Sequence, residues 1–166
     1  MQRFSTVLTA LAMLAGAAPA FAAPEYVTIA MEIEVNKPAA EVWAKVGEYC
    51  DISEWFPQLD CVMTSGDGGM GTVRVLAGGR VTEILIAKTD LSYGYTQPVT
   101  EGQFYSLYHG FMEAKPVTAT TSKLLYTLVL DESDKADQAA KDADIARRRT
   151  QFEAGLAKMK EIAEAP

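Results

Sequence analysis

Few side chains in this sequence are of types that could do chemistry together. The chain of 166 residues has two cysteines, Cys50 and Cys61, and a single histidine, His109. The cysteines could form a disulfide, remain as two buried thiols or contribute to a metal site, and the scarcity of histidine makes the metal site the least favoured. His109 could be a general base or a pH switch, although a lone histidine in a strand is more often a surface residue. We expect no metal ion and no cofactor.

The first 22 residues have the features of a secretory signal peptide. A short positive start is followed by an apolar run over residues 7–18, which is too short to cross a bilayer, and by an Ala-Phe-Ala pattern at residues 20–22. We predict cleavage before residue 23 and a secreted, periplasmic protein without a stable membrane anchor. Export to an oxidising compartment favours a disulfide between the two cysteines, and two buried thiols are the alternative.

Residues 23–166 are expected to form one domain, because no glycine-, serine- or proline-rich linker divides them. The full chain has 15 Lys and Arg against 22 Asp and Glu, a net charge of −7, and cleavage would remove one arginine and no acid. A phosphate-binding surface would need the opposite sign of charge. The composition therefore argues against nucleic acid as a partner.

The order of apolar patterns predicts strands first and a long helix last. Alternation predicts a strand over residues 27–35, and helical spacing after Pro38 predicts short helices over residues 39–46 and 51–56. Further strands are predicted over residues 61–65, 72–76, 81–89, 93–98, 105–115 and 124–131. The period then changes, and one apolar stripe predicts an amphipathic helix over about residues 137–163 that faces the sheet.

Several short patterns recur along the chain in a characteristic order. They are Pro-Ala-Ala-Glu-Val-Trp at 38–43, Trp-Phe-Pro at 55–57, Val-Thr-Glu-Ile-Leu at 81–85, Tyr-Gly-Tyr at 93–95, Tyr108, and Phe-Glu-Ala-Gly-Leu at 152–156. In this order the chain resembles the polyketide cyclase/dehydrase branch of the SRPBCC superfamily, relatives of START domains. The resemblance implies an α+β helix-grip fold, in which a curved antiparallel β-sheet, two short helices and a long C-terminal helix enclose a cavity.

The resemblance also implies which side chains point into that cavity. The glutamate at the position of Glu83 and the tyrosine at the position of Tyr108 point inward in similar proteins. Because alternate residues of a strand share a face, Leu85 and Ala87 are expected to accompany Glu83, and Met112 to accompany Tyr108. Glu83 is then the one acid expected in the cavity. The same alternation adds Tyr93, Tyr95 and Tyr126 to the predicted lining.

The favoured function is the binding or carriage of a hydrophobic small molecule, such as a lipid, a sterol or a polyketide-like compound. Aromatic and methionine side chains would form adaptable walls around it. The expected wall residues are Trp55, Phe56, Met63, Met112, Phe152, Leu156 and Met159. An ordinary filled core would use the same residues and is the alternative for each of them.

An enzyme of the cyclase, dehydratase or isomerase type is the second hypothesis. Glu83 would remove a proton from a carbon next to a carbonyl, and Tyr95, Tyr108 or Tyr126 would donate to the developing enolate. The sequence offers no second inward acid and no inward histidine to assist Glu83.

An interaction module without a small ligand is the third hypothesis. If Glu83 points inward, Ile84 and Ile86 lie on the outer face of the sheet, where Phe111 would join them in an apolar contact patch. A strictly monomeric protein in sedimentation would argue against this use of the patch.

Overall fold

The structure is a computed structural model that describes residues 23–98 and 107–166. The predicted signal peptide and the first two residues of the predicted strand over 105–115 lie outside the described residues. The strands are β1 (Tyr26–Val35), β2 (Cys61–Ser65), β3 (Val73–Leu76), β4 (Val81–Thr89), β5 (Ser92–Thr96), β6 (Tyr108–Pro116) and β7 (Ser122–Asp131). The helices are α1 (Ala39–Val46), α2 (Ile52–Trp55) and α3 (Gln138–Glu164).

All seven strands form one antiparallel sheet in the order β1-β7-β6-β5-β4-β3-β2. Strands that follow one another along the chain are neighbours, except that β1 pairs with β7 and so joins the start of the domain to its end. The alternation in β1 buries Ile29 and Met31, which lie opposite Leu128 and Tyr126 of β7. The helix-grip α+β fold implied by the resemblance is confirmed.

The three helices cover the inner face of the sheet. Pro38 caps α1 without a side-chain hydrogen bond, and its fixed φ suits the start of a helix. Asp137 caps α3 by accepting a hydrogen bond from the Ala140 amide at 2.8 Å. Helix α3 buries Phe152, Gly155, Leu156, Met159 and Ala163 against the sheet and the short helices.

The strict alternation expected for β4 does not hold along its whole length. Glu83 and Leu85 are buried, but Ala87 is exposed, so the prediction that Ala87 points inward is wrong. The reason is a register shift between Leu85 and Ala87 in the pairing of β4 with β5. An extra residue at Ile86 reverses the faces of the strand beyond it.

A disulfide joins Cys50 and Cys61, with 5.5 Å between their Cα atoms. Cys50 precedes α2, and Cys61 is the first residue of β2. The bond therefore closes the loop that contains α2 and holds that one-turn helix near the edge of the sheet. The expected disulfide is present, and two free thiols are excluded because both cysteines are bonded.

Candidate functional site

A pocket of about 280 Å³ lies between the inner face of the sheet, α2 and α3. The loop through α2, four strands and α3 each contribute side chains to it. Its lining consists of Ile52, Phe56, Leu59, Leu76, Val81, Glu83, Tyr95, Gln97, Tyr108, Arg148, Gln151 and Phe152. Half of these side chains are aliphatic or phenylalanine, and the polar ones include one acid and one arginine. The pocket therefore suits a mainly apolar molecule that carries a few polar groups.

The buried acid is paired with an arginine that sequence reasoning missed. Arg74 of β3 lies directly opposite Glu83 of β4, so the two side chains share the inner face. The Nε and Nη2 atoms of Arg74 donate to Glu83 Oε2 at 2.8 and 2.6 Å. Arg74 is fully buried, and Glu83 is 3% exposed. The prediction of Glu83 as a solitary charge among tyrosines and aliphatic groups is therefore wrong.

The guanidinium of Arg74 is held in place on its other sides as well. Its Nη1 atom donates to the Tyr49 carbonyl oxygen. Its Cζ atom lies 4.1 Å from the ring centroid of Tyr49, 5.1 Å from that of Tyr95 and 5.8 Å from that of Tyr93. Burial lowers the pKa of Arg74, but the charges of its neighbours, Glu83 among them, outweigh burial and raise it. Arg74 thus stays charged behind Glu83.

This arrangement leaves one oxygen of Glu83 for the pocket. Oε2 accepts both hydrogen bonds from Arg74, whereas Oε1 accepts one bond, from Gln97 Nε2 at 3.2 Å. A carboxylate oxygen has room for a further donor. Because Glu83 and Gln97 both line the pocket, Oε1 can accept a hydrogen bond from a ligand hydroxyl or N–H.

Tyr95 and Tyr108 add two hydroxyls to the polar wall, and Tyr126 supports Tyr95 from the core. The hydroxyls of Tyr95 and Tyr126 lie 2.7 Å apart in a buried hydrogen bond. The Tyr95 ring packs over Gly110, where a Cβ would lie 2.2 Å from Tyr95 Cζ, so a larger residue would displace the ring. Burial raises the pKa of Tyr108 to about 12 and raises those of Tyr95 and Tyr126 well above the ordinary value. These phenols remain protonated at neutral pH and can donate hydrogen bonds.

Arg148 of α3 closes one side of the pocket above Tyr108. Its Cζ atom lies 5.2 Å from the Tyr108 ring centroid, and its Nε donates to Asp144 Oδ2 at 2.5 Å. Asp144 also accepts from Arg147 Nη2 at 2.5 Å. Although burial raises the pKa of Asp144, the hydrogen bonds from the two arginines outweigh burial and hold the pKa at about 2. Asp144 therefore stays ionised and fixes Arg148 against Tyr108.

Glu132 is a second buried acid that sequence reasoning missed. Its side chain is fully buried, and neither carboxyl oxygen receives a hydrogen bond within the described part of the chain. Burial raises the pKa of Glu132, the Lys135 ammonium at 3.9 Å opposes this, and Asp144 adds to the increase. A neutral Glu132 avoids the cost of an unpaired buried charge, which is the physical reason for the increase in its pKa.

We predict that Glu132→Gln raises the free energy of unfolding near pH 7 by about 1–3 kcal/mol, because a neutral amide replaces a buried carboxylate that no hydrogen-bond donor satisfies. The native pKa of Glu132 lies above its ordinary value. The free energy of unfolding of the wild type therefore falls as the pH rises through the pKa that Glu132 has in the native protein. An amide cannot ionise, so the variant should keep its stability in that range and match the wild type near pH 4.

Urea unfolding at several pH values checks this prediction. Glu113→Gln is the control, because Glu113 is exposed on β6 and its replacement should change little. Equal stability of Glu132→Gln and the wild type at every pH would show that Glu132 carries no penalty in the native protein.

The structure gathers some of the predicted site residues in the pocket and places others beneath it. Five predicted residues line the pocket, namely Phe56, Glu83, Tyr95, Tyr108 and Phe152. Six others are buried in the core without lining it, namely Leu85, Tyr93, Met112, Tyr126, Leu156 and Met159. For these six the alternative of an ordinary filled core describes their position. Trp55 is buried and lines a neighbouring groove.

Met63 is the predicted wall residue that is exposed instead of buried. Its side chain is 49% exposed on β2, which is the edge strand of the sheet. Met63 lies opposite Arg74, so it faces the inner side, but α3 does not pack extensively on this edge strand. Its expected place in the cavity wall is therefore corrected to the exposed edge.

The outer face of the sheet carries the patch expected from alternation. Ile86 is 42% exposed and Phe111 is 41% exposed, while Ile84 is half-buried. His109 is also half-buried on β6 and does not line the pocket. This face thus offers an apolar surface. His109 lies outside the pocket lining, so it is not placed to act on a molecule in the pocket.

Residues 23–98 and 107–166 contain neither a cluster of metal ligands nor a membrane-spanning helix. No group of three or more histidine, cysteine, aspartate or glutamate side chains is arranged there as metal ligands. None of the described helices combines the length and apolar character needed to cross a bilayer.

Solved structures with the same fold include one protein named an aromatase/cyclase and one named a di-domain ARO/CYC. A Thermobifida fusca protein solved by NMR superposes with a TM-score of 0.67 at 22% identity, over 82% of this chain and 92% of its own. The Zhui aromatase/cyclase from Streptomyces sp. R1128 superposes with a TM-score of 0.65 at 18% sequence identity, over 84% of this chain and 94% of its own. The di-domain ARO/CYC BexL superposes with a TM-score of 0.63 at 17% sequence identity, over 85% of this chain and 51% of its own.

These structural similarities, at 17–22% sequence identity, show the fold. The family is shown by a match of the sequence to a family model. No curated protein matches the chain significantly. The family model described as "Polyketide cyclase / dehydrase and lipid transport" matches residues 26–164, which is nearly all of the chain after the predicted signal peptide. The chain therefore belongs to this polyketide cyclase/dehydrase and lipid transport family, a branch of the SRPBCC superfamily.

Proposed function

We propose that the protein is an exported, periplasmic binding or carrier protein for a hydrophobic small molecule that bears a hydroxyl group. The observation that carries this proposal is the pocket, which combines an apolar wall with one open acceptor, Glu83 Oε1. The hydroxyl of the ligand would donate to Oε1, and the apolar body would lie between Phe56 and Phe152.

The ion pair with Arg74 favours binding over proton abstraction. A general base must accept a proton during the reaction. If Glu83 became neutral, the fully buried Arg74 would lose its counter-charge, and an uncompensated buried charge costs several kcal/mol. A fixed carboxylate is well suited to accept a hydrogen bond without changing its own charge.

Export is supported by the sequence of the first 22 residues and agrees with the disulfide between Cys50 and Cys61. An enclosed pocket would carry a poorly soluble compound through an aqueous compartment. The net charge of −7 argues against a function that requires docking on anionic lipid.

An enzyme is the second candidate, and the geometry of Tyr108 favours it. Tyr108 is protonated at neutral pH and lines the same pocket as Glu83, so a donor and an acceptor face one space. Two proteins of the same fold are named aromatase/cyclase or ARO/CYC. In this candidate Tyr108 would donate to an enolate oxygen while Glu83 accepted a proton.

Native mass spectrometry after gentle purification, followed by solvent extraction, tests the binding proposal. We expect one bound hydrophobic compound per chain, released when the protein unfolds. A protein that is empty and takes up no phenolic, sterol or fatty-acid probe would contradict the proposal.

The Glu83→Gln substitution separates the two candidates when it is made together with Arg74→Met, so that no buried charge is left unpaired. A binding protein should keep its ligand with about a tenfold loss of affinity or less, because the amide oxygen can still accept a hydrogen bond. An enzyme should lose turnover while it still binds, because an amide is not a base.

A further inference from the structure

A second cavity lies beside the pocket, on the other side of Phe56. We call it the outer groove; its volume is about 310 Å³. It runs between the segment that follows α2 and the middle of α3. Its walls are Trp55, Pro57 and Gln58 on one side and Ala154, Gly155 and Lys158 on the other. Phe56 and Gln151 line both cavities and so form the partition between them.

The Phe56 ring is seated against a glycine. A Cβ on Gly155 would lie 2.7 Å from Phe56 Cζ, so the absence of a side chain at this position makes room for the ring. The ring also packs edge-to-face on Phe152 at 5.4 Å between centroids. Phe56 follows the last residue of a one-turn helix, and its backbone is not helical. Movement of the Phe56 ring would open the partition that it forms with Gln151.

The size of the pocket gives a reason for such a connection. Cavities that enclose drug-sized ligands have volumes of about 300–1,000 Å³. The pocket alone, at about 280 Å³, falls just below this range, and the outer groove is of similar volume. A ligand longer than the pocket would therefore pass the position of the Phe56 ring and enter the groove.

The outer groove offers polar groups at its walls as well as an apolar surface. Trp55 is 2% exposed, and its Nε1–H has no acceptor among residues 23–98 and 107–166. A buried donor without a partner is uncommon in proteins. Lys158 adds a cation, which pairs at 2.6 Å with the exposed Glu161. The Lys158 ammonium favours an acceptor oxygen on a ligand in the groove, such as a carbonyl or a carboxylate.

We infer that the pocket and the outer groove together hold one elongated ligand, with a hydroxyl at Glu83 and a carboxylate or carbonyl near Trp55 and Lys158. This inference rests on the proposed function and specifies its ligand class, a long hydroxylated amphiphile with an acceptor group at the far end. Phe56 is displaced from its seat on Gly155 when the long ligand binds. Short ligands occupy the pocket alone.

Three probes test this inference. They are 4-ethylphenol, 4-octylphenol and 8-(4-hydroxyphenyl)octanoic acid, and calorimetry gives their affinities. In a Trp43→Phe background Trp55 is the only tryptophan, so its fluorescence reports on the groove. We expect 4-ethylphenol to bind without changing this fluorescence. The two longer probes should change it and bind at least tenfold more tightly, because each buried methylene contributes about 0.8 kcal/mol.

Substitutions in the groove separate this result from the general affinity of long chains. Ala154→Phe fills the groove and should weaken the long probes at least tenfold while the binding of 4-ethylphenol stays unchanged. Ala157→Phe is the matched control, because Ala157 is exposed on the same helix outside the groove. If Ala154→Phe does not fold, Gln58→Phe fills the groove from the opposite wall and carries the same expectation.

The outcomes distinguish the inference from the proposed function. If 4-ethylphenol binds but the long probes bind no better, or if filling the groove weakens long and short probes equally or not at all, the inference is overturned and the proposed function stands. If none of the probes binds, the proposed function fails with it.

Discussion

Replacing Arg74 by methionine should lower the free energy of unfolding by about 3–5 kcal/mol, the cost of leaving one partner of a buried ion pair alone. Arg74 is fully buried, and Glu83 depends on it for both hydrogen bonds to Oε2. The variant would leave the Glu83 carboxylate in a low-dielectric site with only Gln97 as a donor. Urea unfolding followed by circular dichroism measures the effect.

A double variant isolates the contribution of the pair. Arg74→Met combined with Glu83→Gln removes both charges, and it should recover most of the lost stability, because replacing both ions is often neutral. Arg80→Met is the control, since Arg80 is exposed in the turn before β4 and should tolerate the change. If Arg74→Met were as stable as Arg80→Met, the charge on Glu83 would not depend on Arg74.

Removing the disulfide should lower the free energy of unfolding by about 3 kcal/mol, as the chain-entropy model gives for a loop of this size. The bond spans a sequence separation of 11 and holds the loop that carries α2. Ile52 and Phe56 of this loop line the pocket, so its loosening should also weaken ligand binding. Urea unfolding of the Cys50→Ala, Cys61→Ala double variant measures the stability.

The reduced wild-type protein is the control for the disulfide, because it keeps both side chains and lacks only the bond. Reduced protein and double variant should unfold at similar urea concentrations. Unfolding of both at the concentration found for the oxidised protein would show that the loop is held by packing alone.

The strands and helices were predictable because their patterns are local. Alternation in β1 and the seven- and four-residue steps in α3 identify the faces that are buried, without knowledge of any partner. The first helix was predicted at the same bounds that the structure shows, because Pro38 and Gly47 mark its ends. The order of β2 to β7 then follows from the pairing of strands that are consecutive in the chain, whereas the pairing of β1 with β7 does not.

The ion pair was harder to predict because its two halves come from different strands. An arginine within a strand is usually exposed, so the residue type of Arg74 does not indicate burial. Arg74 and Leu76 share one face of β3 because alternate residues of a strand point to the same side. Since Leu76 is apolar, this alternation in the sequence would have placed Arg74 inward. Its pairing with Glu83 depends on the register between β3 and β4, which single residues do not encode.

Two further differences have the same origin in tertiary structure. The bulge at Ile86 changes the face of Ala87, and no residue type in β4 predicts this bulge. A glycine in the middle of a helix is unfavourable unless something packs closely on it, and the group that packs on Gly155 is the Phe56 ring. The sequence shows the glycine but does not identify its neighbour.

A crystal structure of the protein with 4-ethylphenol tests the central claim most directly. We predict the phenol oxygen within hydrogen-bond distance of Glu83 Oε1, with the ring between Phe56, Tyr108 and Phe152. A pocket filled by the protein's own side chains, with the probe bound instead on the outer face near Phe111, would contradict the account.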